Sequence, residues 1–289
     1  MMSDPDKLFR TVTDFTIFDN NLIGHAREVF DDYIEKGIIL SYNFDHHKWE
    51  TTNEYANVTF LFNVNTFQYK RFYQPLLGID YEGFIAYLKS FIVLSMDQHV
   101  LGSLQAFLRD IKRMIKETKQ DIFSDIEYIK ISSPSLCIDF LASLPYPDDS
   151  EVSQILEQLD NAMTIVYQNK PKQQRQLAQF QSYFAFNDIL ADYWGQALSQ
   201  EQRLFYYPLY LWWQITAVIP LRPREFLLTQ RDCLSENDGK YFLTLRRNNL
   251  KGKEKSVSHK ISEDYYKTTY EIPKGLAMDI QDYLSLTNS

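Results

Sequence analysis

A mainly helical α+β fold with a small β-sheet is what this chain predicts, on three observations. From Tyr81 onward, apolar residues recur at three- and four-residue spacing over long stretches. Two further helix-like segments run between residues 178 and 218, each rich in aromatic and aliphatic side chains. Near the C-terminus the pattern switches to short β-branched and aromatic runs separated by polar turns. With 289 residues and 45% apolar side chains, the chain has enough material for two or three separate cores.

The elements follow in order. Within "YANVTFLFNVNTFQY", Val58, Phe60 and Phe62 alternate with Thr59, Leu61 and Asn63, which predicts a strand over 56–63. Phe84, Tyr87, Leu88, Phe91 and Ile92 form one helical stripe, and Leu101, Leu104, Phe107, Leu108, Ile111 and Ile115 form a second. The second ends in the basic run "KRMIKETK", which suits a helix C-terminus and is also a possible phosphate contact. Pro145 and Pro147 mark a turn, after which a helix is expected through about residue 168. "QNKPKQQRQ" at 168–176 reads as a linker. Pro208 is placed to kink the helix "SQEQRLFYYPLYLWWQITAV" or to mark its start. "GKYFLTLRRNNL" and "EKSVSHKI" predict a hairpin turning at Gly252, "TTYEIP" a third strand, and "KGLAMDIQDYLSL" a final amphipathic helix. The domain division expected is an N-terminal extension over 1–75, a helical domain over 76–172 and a C-terminal domain over 173–289.

Charge is unevenly distributed. The net value is −8, which argues against indiscriminate nucleic-acid binding. Residues 1–62 carry eleven acidic against five basic side chains, whereas residues 240–260 carry seven basic side chains against Glu254 alone. A polyanionic partner is therefore expected to meet the C-terminal part. Neither a membrane span nor a secretory leader is legible, so a cytoplasmic location is expected. Cys137 and Cys233 are far apart and read as buried thiols. His46 and His47 are adjacent, and adjacent histidines on a loop seldom converge on one ion without further ligands, so no metal is expected. "FYYPLYLWW" reads as core and not as a base-stacking platform.

The segment "IPLRPREFLL", residues 219–228, carries the chemistry. Pro220 discourages continuation of the preceding helix and Pro223 suits the first position of a new one, which puts Arg222 at the cap and Glu225 in the first turn. A glutamate there can bond back to the cap amide and hold a neighbouring guanidinium. The free amides of a helix start and a fixed planar cation both favour a phosphate.

"PLRPREFLLTQRDCL" resembles the first arginine box of the tyrosine recombinases, the phage-integrase family, in which Thr-Gly-Leu-Arg-x-x-Glu-Leu opens a helix. Leu221, Arg222, Glu225 and Phe226 take the Leu, Arg, Glu and apolar places, and Pro220 stands where the family has glycine. The basic hairpin resembles the family's Lys-Gly-x-x-Lys turn, with Lys251 matching its catalytic lysine. The resemblance implies a helical core-binding domain over 76–172 followed by the N-terminal part of a recombinase catalytic domain over 173–289, and strand cleavage and rejoining in DNA integration or transposition. Double-stranded DNA would be the partner, with self-association on DNA, no cofactor, no small-molecule substrate and no membrane. Arg222 would bind the scissile phosphate, Glu225 would orient it, and Lys251 would protonate the leaving oxygen. Arg224, Arg246, Arg247, Lys253 and Lys255 would contact the DNA backbone. The family's His-x-x-Arg is not matched, since His259 is followed by Lys260, Ile261 and Ser262, and Tyr283 lies only 61 positions after Arg222. The chain as it stands is therefore expected to be catalytically incomplete. The alternatives are a non-catalytic DNA-binding module and a protein-interaction module.

Overall fold

The computed structural model describes residues 19–122, 125, 129–147, 151–169, 179–248 and 256–288. The chain is mainly helical with two small antiparallel sheets and divides into two compact units. The first comprises residues 1–171 together with 255–261, and the second comprises 172–254 and 262–289. Among the described residues no helix is long and apolar enough to cross a membrane.

The first unit opens with helix α1 (Asn20–Glu35), which the sequence reading did not anticipate. Asp19 caps it by accepting from the amide of Leu22 at 2.7 Å, and Ala26, Phe30 and Tyr33 form its buried stripe. Strands β1 (Lys48–Thr52) and β2 (Asn57–Leu61) form an antiparallel hairpin, so the predicted strand is present with a partner that had not been foreseen. Short helices α2 (Thr66–Gln68) and α3 (Gln74–Leu77) flank a π-helical turn at Tyr69–Tyr73. Then come α4 (Tyr81–Leu94), α5 (Leu101–Glu117), α6 (Pro134–Ser143) and α7 (Val152–Asn169). One hydrophobic core runs without a break from Ala26 to Leu159, so no packing boundary falls at residue 75. The sequence sets 1–75 apart as an extension because it carries aromatic and β-branched clusters, whereas helical period begins at Tyr81. Its Trp49, Phe60 and Phe62 are instead fully part of that core.

Two features of this unit are costly. Lys89 is 3% exposed, and its ammonium lies 5.3–5.9 Å from the rings of Phe44, Trp49 and Phe62. Burial pushes its pKa down to about 8, although Asp45 opposes the shift. Asp110 is completely buried and its Oδ2 accepts from the amides of Ser132 and Ser133, both at 2.8 Å, which fixes the start of α6 against α5.

Residues 256–261 also belong to this unit. Val257 donates its amide to Asp97 O at 2.5 Å, His259 Nε2 lies 2.7 Å from Met96 O, and the amide of Ile261 donates to Glu54 Oε2 at 2.6 Å. Predicted as the return strand of a hairpin, this stretch is instead irregular, with Val257 and His259 buried. His259 and Glu54 both adopt left-handed backbone conformations, φ +61° and +66°.

In the second unit, α8 (Phe180–Trp194) and α9 (Gln200–Val218) pack through aromatic rings. Trp194 stacks on Tyr210 with centroids 4.3 Å apart, and Trp213 donates to Asn187 Oδ1 at 3.1 Å. Ser199 and Gln202 form a reciprocal capping box at the start of α9, and Pro208 lies inside that helix. Helix α10 (Pro223–Leu227) leads into strands β3 (Leu234–Asn237) and β4 (Lys240–Asn248). Asp238 and Gly239, both with positive φ, form the two-residue turn between them. After α11 (Ile261–Asp264), strand β5 (Tyr265–Ile272) pairs antiparallel with β4, and α12 (Lys274–Leu286) follows. The partner of β4 is thus the predicted third strand and not residues 254–261. Leu243 and Leu245 of β4 face a core built from Tyr207, Leu211 and Ile215 of α9 and Leu276, Ala277 and Ile280 of α12.

Candidate functional site

The segment that drew attention in the sequence folds as its prolines require. Helix α9 ends at Val218, Ile219 and Leu221 turn into the core, and Pro223 occupies the first turn of α10 with Arg222 at its N-cap. Glu225 is 3% exposed. Its Oε2 accepts from the amide of Arg222 and its Oε1 from the amide of Asn248, both at 3.0 Å. The Arg247 guanidinium lies 3.5 Å from Oε2 and that of Arg222 lies 3.7 Å from Oε1. One carboxylate therefore joins the start of α10 to the far end of β4, 23 residues on in sequence.

Burial pushes the Glu225 carboxyl up, but the amides of Asn248 and Arg222 and the two guanidinium groups together outweigh it. Its pKa lies below the ordinary glutamate value. The two arginines around it are not equivalent. Arg247 is largely covered, donates to Pro220 O at 2.6 Å and lies 6.0 Å over the Tyr270 ring, so its donors are engaged within the fold. The Arg222 side chain is 47% exposed, and its separation from Glu225 is longer than a direct hydrogen bond. It is the cation of this cluster that faces solvent, held from behind by a buried anion.

The free amides expected to assist an anion are not all available. Glu225 takes the Arg222 amide, Pro223 has none, and a helix of five residues supplies little dipole. Anion binding here rests on the guanidinium and not on the helix start.

Arg224 is exposed on the same short helix. Arg246 and Arg247 are consecutive in a strand, so their side chains leave opposite faces of the sheet. Arg247 turns toward Glu225, whereas Arg246 lines an open pocket with Gln230, Asp232, Cys233, Thr244, Leu245 and Lys267. Lys251, Lys253 and Lys255 lie outside the described residues. Sequence reasoning missed Asn248 and Lys267. Asn248 acts through its backbone, for which no side-chain signal exists, and Lys267 came into view only with the correct strand pairing.

Other basic and aromatic candidates are accounted for locally. Lys112 donates to Leu61 O at 3.1 Å and to Asn63 Oδ1, and Arg113 donates to Lys130 O at 2.6 Å, so two of the four cations of the "KRMIKETK" run serve the fold of the first unit. Only part of "FYYPLYLWW" is core. Tyr207 and Leu211 are buried, but Phe205 is 76% exposed and Tyr206 and Leu209 are also exposed. Together with Phe180, Tyr183, Phe184 and Ile189 of α8, they leave apolar side chains of the second unit in solvent. Cys137 and Cys233 are both buried. Among the described residues no group of three or more His, Cys, Asp or Glu side chains converges as a metal site. No protein-family model matches the chain, and comparisons with curated proteins and with solved structures also returned no match.

Proposed function

We propose that the second unit is the first part of a tyrosine-recombinase-type catalytic domain, which binds duplex DNA and places Arg222 against a backbone phosphate. The observation that carries this reading is the position of Glu225. It ties the arginine box to Asn248 at the end of β4, the last described residue before the basic stretch holding Lys251, so the box and the strand leading toward that stretch share one buried carboxylate. A phosphoryl-transfer site of this class needs that convergence, because one fixed cation stabilises the non-bridging oxygens while a lysine reaches the leaving oxygen. Glu225 acts as the positioning residue and Arg222 as the phosphate ligand. In this proposal the first unit has the part of a core-binding domain, and copies of the chain associate on DNA inside the cell. No His-x-x-Arg follows Arg222 in this sequence, so this polypeptide by itself is expected to bind DNA without forming a covalent adduct.

Fluorescence anisotropy with a labelled duplex at several salt concentrations tests the reading. Expected is an affinity that falls steeply with salt, and an Arg222→Ala variant that binds more weakly with a slope smaller by about 0.9. No measurable binding at low salt would remove DNA as the partner.

A protein-interaction role is the second reading, favoured by the exposed apolar side chains of α8 and α9. Phe180, Phe184, Ile189 and Phe205 have no basic neighbour in sequence except Arg203, a composition suited to an apolar protein surface and not to phosphates. That reading gains if DNA affinity is absent.

A further inference from the structure

The β4–β5 ladder contains an unbalanced pair of charges. Arg246 of β4 and Lys267 of β5 are directly opposite in the antiparallel register, so both side chains leave the same face of the sheet. It is the face turned away from the core, since the neighbouring Leu243 and Leu245 point the other way and are completely buried. Like charges directly opposite one another destabilise a sheet. Neither side chain makes a hydrogen bond or ion pair among the described residues.

The rest of the same ladder does not follow this pattern. Lys240 pairs with Glu271 at 3.0 Å, and Thr244 and Thr269 share a hydrogen bond at 3.0 Å. Among the described residues, the sheet sets two cations together without an internal counter-charge only at the Arg246–Lys267 step. The pair lines an open pocket of about 210 Å³ with Gln230, Thr244 and Asp232. Asp232 is the one acid in that lining and lies beyond ion-pair distance of both cations, so the pocket keeps a net positive charge. Gln230 and Thr244 add neutral hydrogen-bonding groups beside a guanidinium and an ammonium.

We infer that Arg246 and Lys267, with Gln230 and Thr244, form a second phosphoryl-binding site on the outer face of the sheet, separate from the Arg222–Glu225 cluster. A phosphate there supplies the counter-charge that the ladder lacks, and the planar guanidinium beside a point charge suits its oxygens. In identifying the source of that phosphate as the duplex backbone, the inference rests on the DNA-binding reading above. Free phosphate is the other source of the same chemistry.

The test uses the full chain and four proteins: wild type, Arg222→Ala, the double variant Arg246→Gln with Lys267→Gln, and Lys240→Gln as a paired-cation control. Duplex affinity is measured against salt, and melting temperature with and without inorganic phosphate. Expected for the double variant is a salt slope smaller by about 1.8. Its melting temperature without phosphate should equal or exceed that of the wild type, because a like-charge pair has been removed. Phosphate should raise the melting temperature of the wild type and not that of the double variant, and Lys240→Gln should match the wild type throughout. A wild type that binds DNA while the double variant keeps the full slope overturns the inference and leaves the Arg222 reading standing. So does an equal loss of slope in Lys240→Gln, which would reduce the effect to bulk charge. If the wild type binds no DNA but phosphate still stabilises it through the pair, the site stands, its source is free phosphate, and the DNA-binding reading fails. Absence of both effects overturns the site and the DNA-binding reading together.

Discussion

Replacing Glu225 by Gln tests whether one carboxylate organises the arginine cluster. The substitution preserves volume and one carbonyl acceptor, but puts an NH2 donor where the second oxygen accepts an amide at 3.0 Å. It also removes the negative charge facing Arg247 at 3.5 Å and Arg222 at 3.7 Å. Breaking a fully buried ion pair costs about 3–5 kcal/mol and stranding one buried amide about 1–3 kcal/mol. These are not additive, and solvent reaches Arg222 and part of Arg247, so about 2–3 kcal/mol is expected for the whole substitution. Urea unfolding followed by tryptophan emission reports on it, since Trp194, Trp212 and Trp213 all lie in the second unit. The pH dependence gives a second check. The folded Glu225 has a lowered pKa, so its contribution is complete above the unfolded carboxyl value of about 4.3 and is lost as pH falls through the lower folded value. The gap between wild type and variant should narrow from pH 7 to pH 3. A gap below about 0.5 kcal/mol at pH 7, or one that does not change with pH, would refute the reasoning, since surface substitutions already produce effects of that size.

Further substitutions address the first unit. Lys89→Met should stabilise it by about 1–3 kcal/mol at pH 7, because lowering the ammonium from the ordinary 10.5 to about 8 corresponds to at most about 3.4 kcal/mol and the cation–ring contacts return part of it. The stability gap between variant and wild type should close between pH 8 and pH 10.5, as read by denaturant titration of both proteins across that range. Asp110→Ala leaves the amides of Ser132 and Ser133 without their acceptor, and a loss of about 2–4 kcal/mol by chemical denaturation is expected. Gly78→Ala should lower the melting temperature by an amount equivalent to at least about 1–2 kcal/mol. Gly78 has φ +66°, and an added Cβ would come within 2.9 Å of Pro147 Cγ.

The sequence was most informative where local signals agree. Helices α4, α5 and α12 and the start of α10 were legible because apolar period, Pro223 and the capping pattern all agree. Helix α1 carries Ala26, Phe30 and Tyr33 at helical spacing, a short stripe that the reading of 1–75 as an extension with a strand at 56–63 passed over. The C-terminal hairpin shows how two turn signals compete. Gly252 was taken as the turn, whereas Asp238-Gly239, the stronger two-residue signal, makes the tight hairpin between β3 and β4. That choice misassigned the partner of β4 and concealed Lys267. For the site, Arg222 and Glu225 were readable because capping chemistry is local. The Asn248 amide and the inward turn of Arg247 depend on contacts across more than twenty residues.

The placement of residues 255–261 in the first unit bears on how this protein is made. A chain emerging from the ribosome has all the helices of that unit by residue 169, but Met96, Asp97 and Glu54 must wait for His259, Val257 and Ile261 to be synthesised. Strand β4 is translated before those residues, and its partner β5 after them. The first unit therefore cannot complete its packing until β4 of the second has been made, though it has all its residues before β5 and α12 exist, and cutting the chain after residue 171 would give a piece lacking part of its own unit.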